Sequence, residues 1–336
     1  MKIIVPMAGM GKRMRPHTLT VPKPLIPIAG KPIVKRLVED IAKVCDEKIV
    51  EVAFIIGDFG NEVEETLIGI AEAIGAKGSI CYQREALGTA HAILCAQDYL
   101  DGKVVVAFAD TLFKANFKLD DSQDGIIWTS KVDDPSAFGV VKLGENGNVE
   151  AFIEKPQQFI SDQAIIGIYY FKDGEYLRTE LQYLIDNDVR IKGGEFGLTD
   201  ALENMNSKGT SFSIETVSEW LDCGNKNATV YTNQRVLEFI KDENSSSSNA
   251  ALNNSKIIEP CYFGEGVEVE NSTVGPHVSL GAGTKIFGSI IENTIIQSNS
   301  MITDSELSNT MIGNFVSFSG KSSDASIGDY SQVKLH

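Results

Sequence analysis

Residues 7–24, MAGMGKRMRPHTLTVPKP, follow directly on the apolar stretch KIIVP and crowd glycines, cations and prolines together. Gly9 and Gly11 let a backbone approach a bulky anion closely. Lys12, Arg13 and Lys23 supply positive charge, and Arg adds a planar two-pronged donor that matches phosphate. The chemistry this fits is polyphosphate binding in a tight loop whose backbone N–H groups face inward. Charge distribution agrees. The 336-residue chain is formally −16, yet residues 1–38 hold eight cations and no acid, so that segment is +8 and the remainder −24. Positive charge so confined implies one cationic pocket for a small anion; the plainer alternative is a solvated basic loop.

Two common phosphate loops do not match. The dinucleotide fingerprint needs a third glycine where Met14 stands, and the ATPase P-loop needs Ser or Thr where Arg13 follows Gly11-Lys12. Pro16, Pro22, Pro24, Pro27 and Pro32 forbid a long helix, so a helix dipole contributes little to anion binding.

The elements that must hold this loop are legible from periodicity. KIIVP, EVAFIIG (51–57), SICYQ and KVVVAFAD read as buried strands. Between them PIVKRLVEDIAKVC, NEVEETLIGIAEAIG and GTAHAILCAQDYL have helical spacing, the pattern of a parallel sheet covered on both faces. Such sheets bind ligands at the carboxyl ends of their strands, where the opening loop and FADTLF both fall. From about 125 to 242, IIWTS, FGVVKL, VEAFIEK and IIGIYYF continue the sheet, with helices near 174–187 and 225–242. DENSSSSNAALNN is polar and reads as a linker. Beyond it apolar residues recur in steps of six: Phe263, Val269, Val274, Leu280 and Ile286, then Ile290, Ile296 and Ile302, with slips to five. A hexapeptide rhythm predicts a parallel β-helix; an irregular β-sandwich is the alternative. The expected domains are 1–242 (catalytic), 243–255 (linker) and 256–336 (β-helix).

Hydrophobic content of 43% with 23% charged residues fits a globular chain, and the acidic balance argues against nucleic acid and anionic membranes as partners. Five cysteines without a CxxC pair read as reduced thiols of a cytoplasmic protein. KIIVP is too short for a signal segment, and no apolar run reaches 18 residues, so no membrane span is expected.

AGMGKRMRPHTLTVPKPLIPIAGKP is similar to the signature of the sugar-phosphate nucleotidyltransferases, (A/G)GxGxRLxPxTxxxPKPxxPxxxKP. The glycines, Arg13, Pro16, Thr18, Lys23, Pro24, Pro27, Lys31 and Pro32 match in place; Met14 replaces Leu, and Lys12 stands where Thr or Ser is common. The resemblance runs through about 240 residues. It implies a Rossmann-like mixed, mostly parallel α/β sheet with helices on both faces, followed by a left-handed β-helix. It implies that Ala8, Gly9, Gly11, Lys12 and Arg13 bind nucleotide phosphates, and that Gln83, Gly88 and Thr89 of QREALGTA bind the base. Asp110 of FADTLF and Asp222 of WLDCGN would hold Mg²⁺. Gly139, Glu154, Lys155, Ile166 and Gly167 would contact the sugar phosphate, with Ile165-Ile166 where the family carries a hydrogen-bonding Asn or Thr.

The implied reaction joins a hexose 1-phosphate to the α-phosphorus of a nucleoside triphosphate (dTTP, UTP or GTP) and releases pyrophosphate. Both reactants are polyanions, so a divalent cation between two carboxylates would neutralise charge and align the attack, with Arg13 and Lys23 stabilising the departing pyrophosphate. The attacking phosphate is already ionised, and no general base is required. His17 and His91 are expected to be a loop and a helix-surface residue. The look of the chain is nearest glucose-1-phosphate thymidylyltransferases carrying a β-helix. Mannose-1-phosphate guanylyltransferase, uridylyltransferase and non-catalytic sugar-nucleotide-binding regulatory alternatives stay open. The β-helix is expected to serve homo-oligomer contacts.

Overall fold

The computed structural model describes residues 1–145, 147–191, 194–242 and 250–335. The chain divides into two compact units: residues 1–9 with 37–220, and residues 10–36 with 221–336.

The first unit is built on a nine-stranded mixed sheet. β1 (Lys2–Pro6), β2 (Glu51–Ile56), β3 (Lys77–Tyr82) and β4 (Val104–Ala107) are the expected buried strands. They pair in parallel in the order β3-β2-β1-β4. In β1, β2 and β4 the side chains are largely apolar on both faces because helices leave neither face to water, and Ile3, Ile4, Val5, Phe54, Ile55, Val105 and Val106 are fully buried; β3, at the sheet edge, leaves Lys77 and Tyr82 exposed. After the short β5 (Thr111–Lys114) the chain turns antiparallel. β6 (Gly125–Lys131), β7 (Gly139–Leu143), β8 (Val149–Glu154) and β9 (Gln163–Phe171) extend the sheet, β9 pairing with β4, β6 and β7. β10 (Phe212–Thr216) runs parallel to β6.

Helices α1 (Ile33–Val44), α2 (Asn61–Ala73), α4 (Gly174–Asp186) and α6 (Lys226–Ile240) fall where the spacing predicts them. Asp173 and Asn225 cap α4 and α6, each side chain accepting from the backbone N–H three residues on. The expected helix over GTAHAILCAQDYL is two pieces: α3 (Thr89–Leu94) and a separate 3₁₀ turn at Gln97–Tyr99. α5 (Leu198–Ser207) completes the set.

The second unit contains the signature segment, α6 and the β-helix. Between residues 10 and 32 the prolines permit only three 3₁₀ turns (Lys12–Met14, His17–Leu19, Lys23–Leu25) and a minimal hairpin, Pro27–Ile28 with Lys31–Pro32. Arg36 stitches this hairpin by donating to the carbonyls of Ile28 (2.7 Å) and Ala29 (2.8 Å), so its charge serves the fold.

All β-helix ladders are parallel, and three apolar columns fill the interior. Val269, Ile286, Ile302 and Phe318 stack in register; so do Phe263, Leu280, Ile296 and Ile312, and Val274, Ile291 and Leu307. One expectation needs correcting. Ile290 is 58% exposed, and its neighbour Ile291 is buried, because the step there is five residues. A serine ladder explains the slips. Ser255, Ser272, Ser289 and Ser305 each accept the backbone N–H of the residue 17, 17, 16 and 15 positions on. Each also donates to the carbonyl two residues before it. At the corners Asn254, Asn271, Asn293 and Asn309 take positive φ, which Asn tolerates better than other side chains.

The strand Ala250–Asn253 pairs in parallel with Val267–Glu270, so the β-helix begins inside the stretch read as linker. Polar composition hid a strand whose partner is remote in sequence. Residues 243–249 of that stretch lie outside the described residues.

His17, expected to be a loop residue, is 1% exposed; its Nε2 lies 3.1 Å from Ser326 Oγ of the β-helix. Burial lowers its imidazole from 6.5 to about 4, with Lys226 acting the same way and Asp329 opposing. The neutral ring is therefore favoured in the fold. Between pH 6.5 and 4 the unfolded chain takes up a proton that the folded chain refuses, so stability is full above pH 6.5 and falls as pH drops toward 4. The loss is on the order of 3 kcal/mol. Denaturant unfolding midpoints measured across this window should show that loss in the native chain and not in His17→Phe.

Candidate active site

β1 delivers the chain to Ala8 and Gly9, and the Met7 N–H still bonds the Ile55 carbonyl (2.8 Å), so the loop departs from a fixed strand end. Gly9 is exposed and Ala8 half-buried in the first unit. Gly11, Lys12, Arg13 and Lys23 belong to the second. Gly11 accepts two bonds on its carbonyl, from the Thr18 hydroxyl (2.8 Å) and the Met14 N–H (2.9 Å). These fix the turn in which Lys12 and Arg13 are presented to solvent while Met14 is fully buried. Lys23 is nearly buried, at 9%.

The proposed base loop lies in the first unit. Gln83 follows β3; its Nε2 donates to the Gly88 carbonyl (3.1 Å) and lies 3.2 Å from His91 Nδ1. Donation to a carbonyl fixes which end of the amide is nitrogen, so His91 Nδ1 is the acceptor, as a neutral ring requires. Partial burial lowers the His91 pKa in the same sense. His91, expected to be a helix-surface residue, thus orients Gln83. Gly88 sits at φ +110°, and a Cβ there would lie 2.5 Å from the Phe196 carbonyl oxygen. The loop is strapped to the segment beginning α5: Phe196 N–H bonds Leu87, Ala90 N–H bonds Phe196, and Leu198 N–H bonds the Thr89 hydroxyl. The motif LTDA is half of this strap.

A second group gathers where β7, β8 and β9 meet. Gly139 and Glu154 are cross-strand partners, and a Cβ on Gly139 would come within 3.1 Å of Glu154 Oε2. Lys155 takes positive φ at the strand end, and its Nζ lies 3.2 Å from Glu154 Oε1. Both side chains are substantially exposed, so this pair contributes little to stability and is available to a ligand. Ile165 reaches the same spot; its Cδ1 would lie 3.5 Å from a Cβ on Gly139. Ile166 does not. It is 2% exposed, and its carbonyl accepts the Thr111 hydroxyl (2.8 Å). The register of β9 shifts between Ile165 and Tyr169, and Gly167 at φ +84° takes the bulge, its carbonyl accepting the Phe108 N–H (3.0 Å). Gly167 therefore shapes the strand beside the turn that carries Asp110. Sequence reasoning missed the aromatic wall next to this group: Trp220 Nε1 donates to Thr111 (3.3 Å), and Phe138 packs edge-on to Trp220 at 4.9 Å. Its signal was the Trp in WLDCGN.

Asp110 lies in the turn between β4 and β5 of the first unit, and Asp222 in the second. WLDCGN has a local explanation. Asp222 Oδ1 accepts the Gly224 N–H (2.8 Å), Cys223 is fully buried, and Asn225 caps α6. A Cβ at residue 224 would lie 2.9 Å from Asp222 Oδ1, so glycine there leaves room around the carboxylate. Among the described residues no group of three or more His, Cys, Asp or Glu could hold a metal, and no helix is long and apolar enough to cross a membrane.

The nucleotidyl transferase family profile matches residues 2–238, and the chain belongs to that family. It is similar to the glucose-1-phosphate thymidylyltransferase of Streptomyces antibioticus, 32% identical over 328 residues that cover 90% of this chain and 89% of the relative. The low-salt glycan biosynthesis nucleotidyltransferase Agl11 of Haloferax volcanii is 29% identical over the whole of both chains. A crystal structure titled as a putative glucose-1-phosphate thymidylyltransferase from Bacillus anthracis superposes with a TM-score of 0.58 at 24% identity. It covers 69% of this chain and 93% of its own, and supports the fold.

Gly88→Ala should combine backbone strain with a clash against backbone atoms that cannot yield. Amide hydrogen exchange at residues 84–90 and 196–198 should rise, and KM for the nucleotide should increase about tenfold, equivalent to ~1.4 kcal/mol. An unchanged KM would remove this loop from nucleotide binding.

Proposed function

We propose that this enzyme transfers the nucleotidyl group of dTTP to glucose 1-phosphate, giving the nucleoside-diphosphate sugar and pyrophosphate. The observation that carries this reading is the signature loop, intact at Gly9, Gly11, Arg13 and Lys23, in a chain matching a thymidylyltransferase over nine-tenths of its length. In this reading Arg13 and Lys12 bind the triphosphate, and Lys23 and Arg13 stabilise charge on the leaving pyrophosphate. Gln83, held by Gly88 and His91, presents its remaining carboxamide valences to the base. Glu154 accepts from sugar hydroxyls, Lys155 binds the sugar phosphate, and Gly139 leaves room for the ring.

Asp110 and Asp222 are the residues that would hold Mg²⁺. The donor set fits: both are carboxylates, glycine clears space beside Asp222, and Mg²⁺ takes one or two carboxylates with phosphates and water. When bound, the ion supplies charge neutralisation between the two polyanions. No residue need remove a proton, because the sugar phosphate arrives as an anion.

Pyrophosphate release should be measured over a matrix of dTTP, UTP, GTP, CTP and ATP against glucose-, mannose-, galactose- and N-acetylglucosamine-1-phosphate. The expected result is one dominant pair, dTTP with glucose 1-phosphate, dependent on Mg²⁺ and reduced on the order of a hundredfold in Asp110→Asn. A dominant cell elsewhere reassigns the substrates. A blank matrix with sugar nucleotides still bound favours the regulatory reading.

Ile165 places an apolar side chain against Gly139 and Glu154, which favours a less hydroxylated or N-acylated face of the sugar. Ile165→Asn should shift relative kcat/KM toward the more hydroxylated sugar phosphates in the same matrix; an unchanged preference would remove Ile165 from sugar selection.

A further inference from the structure

The signature fixes some positions and leaves others open, and in this chain several open positions face the β-helix and α6. Thr20 Oγ1 donates to Asp329 Oδ2 (2.7 Å), and His17 Nε2 meets Ser326 Oγ (3.1 Å). Ala29 N–H donates to Asn233 Oδ1 (2.9 Å), which also accepts from Ser279 of the β-helix (2.7 Å). Gly30 lies so close under Tyr262 that a Cβ there would fall 2.0 Å from its ring. The segment is thus held at two places, residues 16–20 and 29–30, with Lys23 between them.

The first hold connects directly to the phosphate loop. Residue 328 is glycine, and a Cβ on it would sit 2.8 Å from Pro16 Cβ, so the β-helix backbone abuts the loop. Asp329 is itself fixed, its Oδ1 accepting the Asn314 N–H (2.8 Å). Between the two contacts, Thr18 donates to the Gly11 carbonyl, the residue from which Lys12 and Arg13 follow. A continuous path of hydrogen bonds and short chain segments therefore runs from the β-helix through Thr20, Thr18 and Gly11 to Arg13. Across Pro16, Pro22 and Pro24 the chain has only short 3₁₀ turns, and its one ladder among the described residues, the two-residue hairpin Pro27–Ile28 with Lys31–Pro32, lies beyond them.

We propose that the last turn of the β-helix, through Ser326, Gly328 and Asp329, sets the conformation of the phosphate-binding loop, with His17 and Thr20 as positioning residues for nucleotidyl transfer. This rests on the function proposed above. It makes the β-helix part of the machinery of phosphate binding in each chain, independent of any assembly between chains.

The test uses the full-length protein and the variants Thr20→Val, Thr20→Ser and Ser326→Ala. Thr20 is exposed, so Thr20→Val leaves global unfolding nearly unchanged. Amide hydrogen exchange at residues 11–20 should rise about tenfold in Thr20→Val and Ser326→Ala, the scale of one lost hydrogen bond to a charged or buried partner. Exchange in β1 and β4 should stay constant. With the productive substrate pair, kcat should fall about tenfold in both variants while KM for the sugar phosphate holds. Thr20→Ser, which keeps the hydroxyl, should behave as the native chain. Native exchange at residues 11–20 in Thr20→Val, or loss of activity in Thr20→Ser equal to that in Thr20→Val, overturns the proposal. If the native chain transfers no nucleotidyl group in any pair, the functional reading falls, and the exchange data still decide whether the β-helix holds the loop.

Discussion

The cations of the signature segment sit on a backbone that no long helix or long strand supports. Between residues 10 and 32 the prolines withdraw amide donors and forbid long helix, so side chains supplement the short 3₁₀ turns and the two-residue hairpin. Thr18 on the Gly11 carbonyl, Arg36 on the hairpin carbonyls and buried Met14 do this from within, and α6 and the β-helix do it from outside. A loop ordered in advance surrenders less entropy when it binds a polyanion, which is what electrostatic preorganisation demands.

Two kinds of interaction build the β-helix, and their magnitudes assign them different tasks. A buried Ile or Leu in one of the three columns contributes roughly 2–5 kcal/mol relative to alanine, against about 1 kcal/mol for one bond of the serine ladder. The columns therefore supply the stability. The ladder supplies the register, because each Ser Oγ accepts from one particular N–H of the next coil. The spacing shortens from 17 to 15 residues along the stack.

Much of this was open to reading in one dimension. The strands β1, β2 and β4 announce themselves as near-continuous apolar runs. The hexapeptide rhythm declared the β-helix. What failed did so for physical reasons. Periodicity has no phase memory across a five-residue step, so Ile290 was taken for Ile291. Composition cannot see a remote partner, so the strand Ala250–Asn253 passed for linker. Sequence places His17 in a loop and His91 on a helix surface, because burial and hydrogen bonding depend on what packs against each ring: Ser326 in one case, Gln83 in the other.

The sequence alone determined the order of glycines, cations and prolines in the signature segment and, through the short-range backbone limits of proline, the absence of a long helix there. It also determined the apolar repeats that make sheet and β-helix. Only the tertiary structure decided that Ile165 faces Gly139 and Glu154 while Ile166 turns inward, because a single bulge at Gly167 reverses which side of the strand a residue occupies. Only it decided that the open positions of the signature, His17 and Thr20, are held by residues some three hundred positions later. Contacts of that kind arise from packing whole elements together, and spacing along the chain carries no record of them.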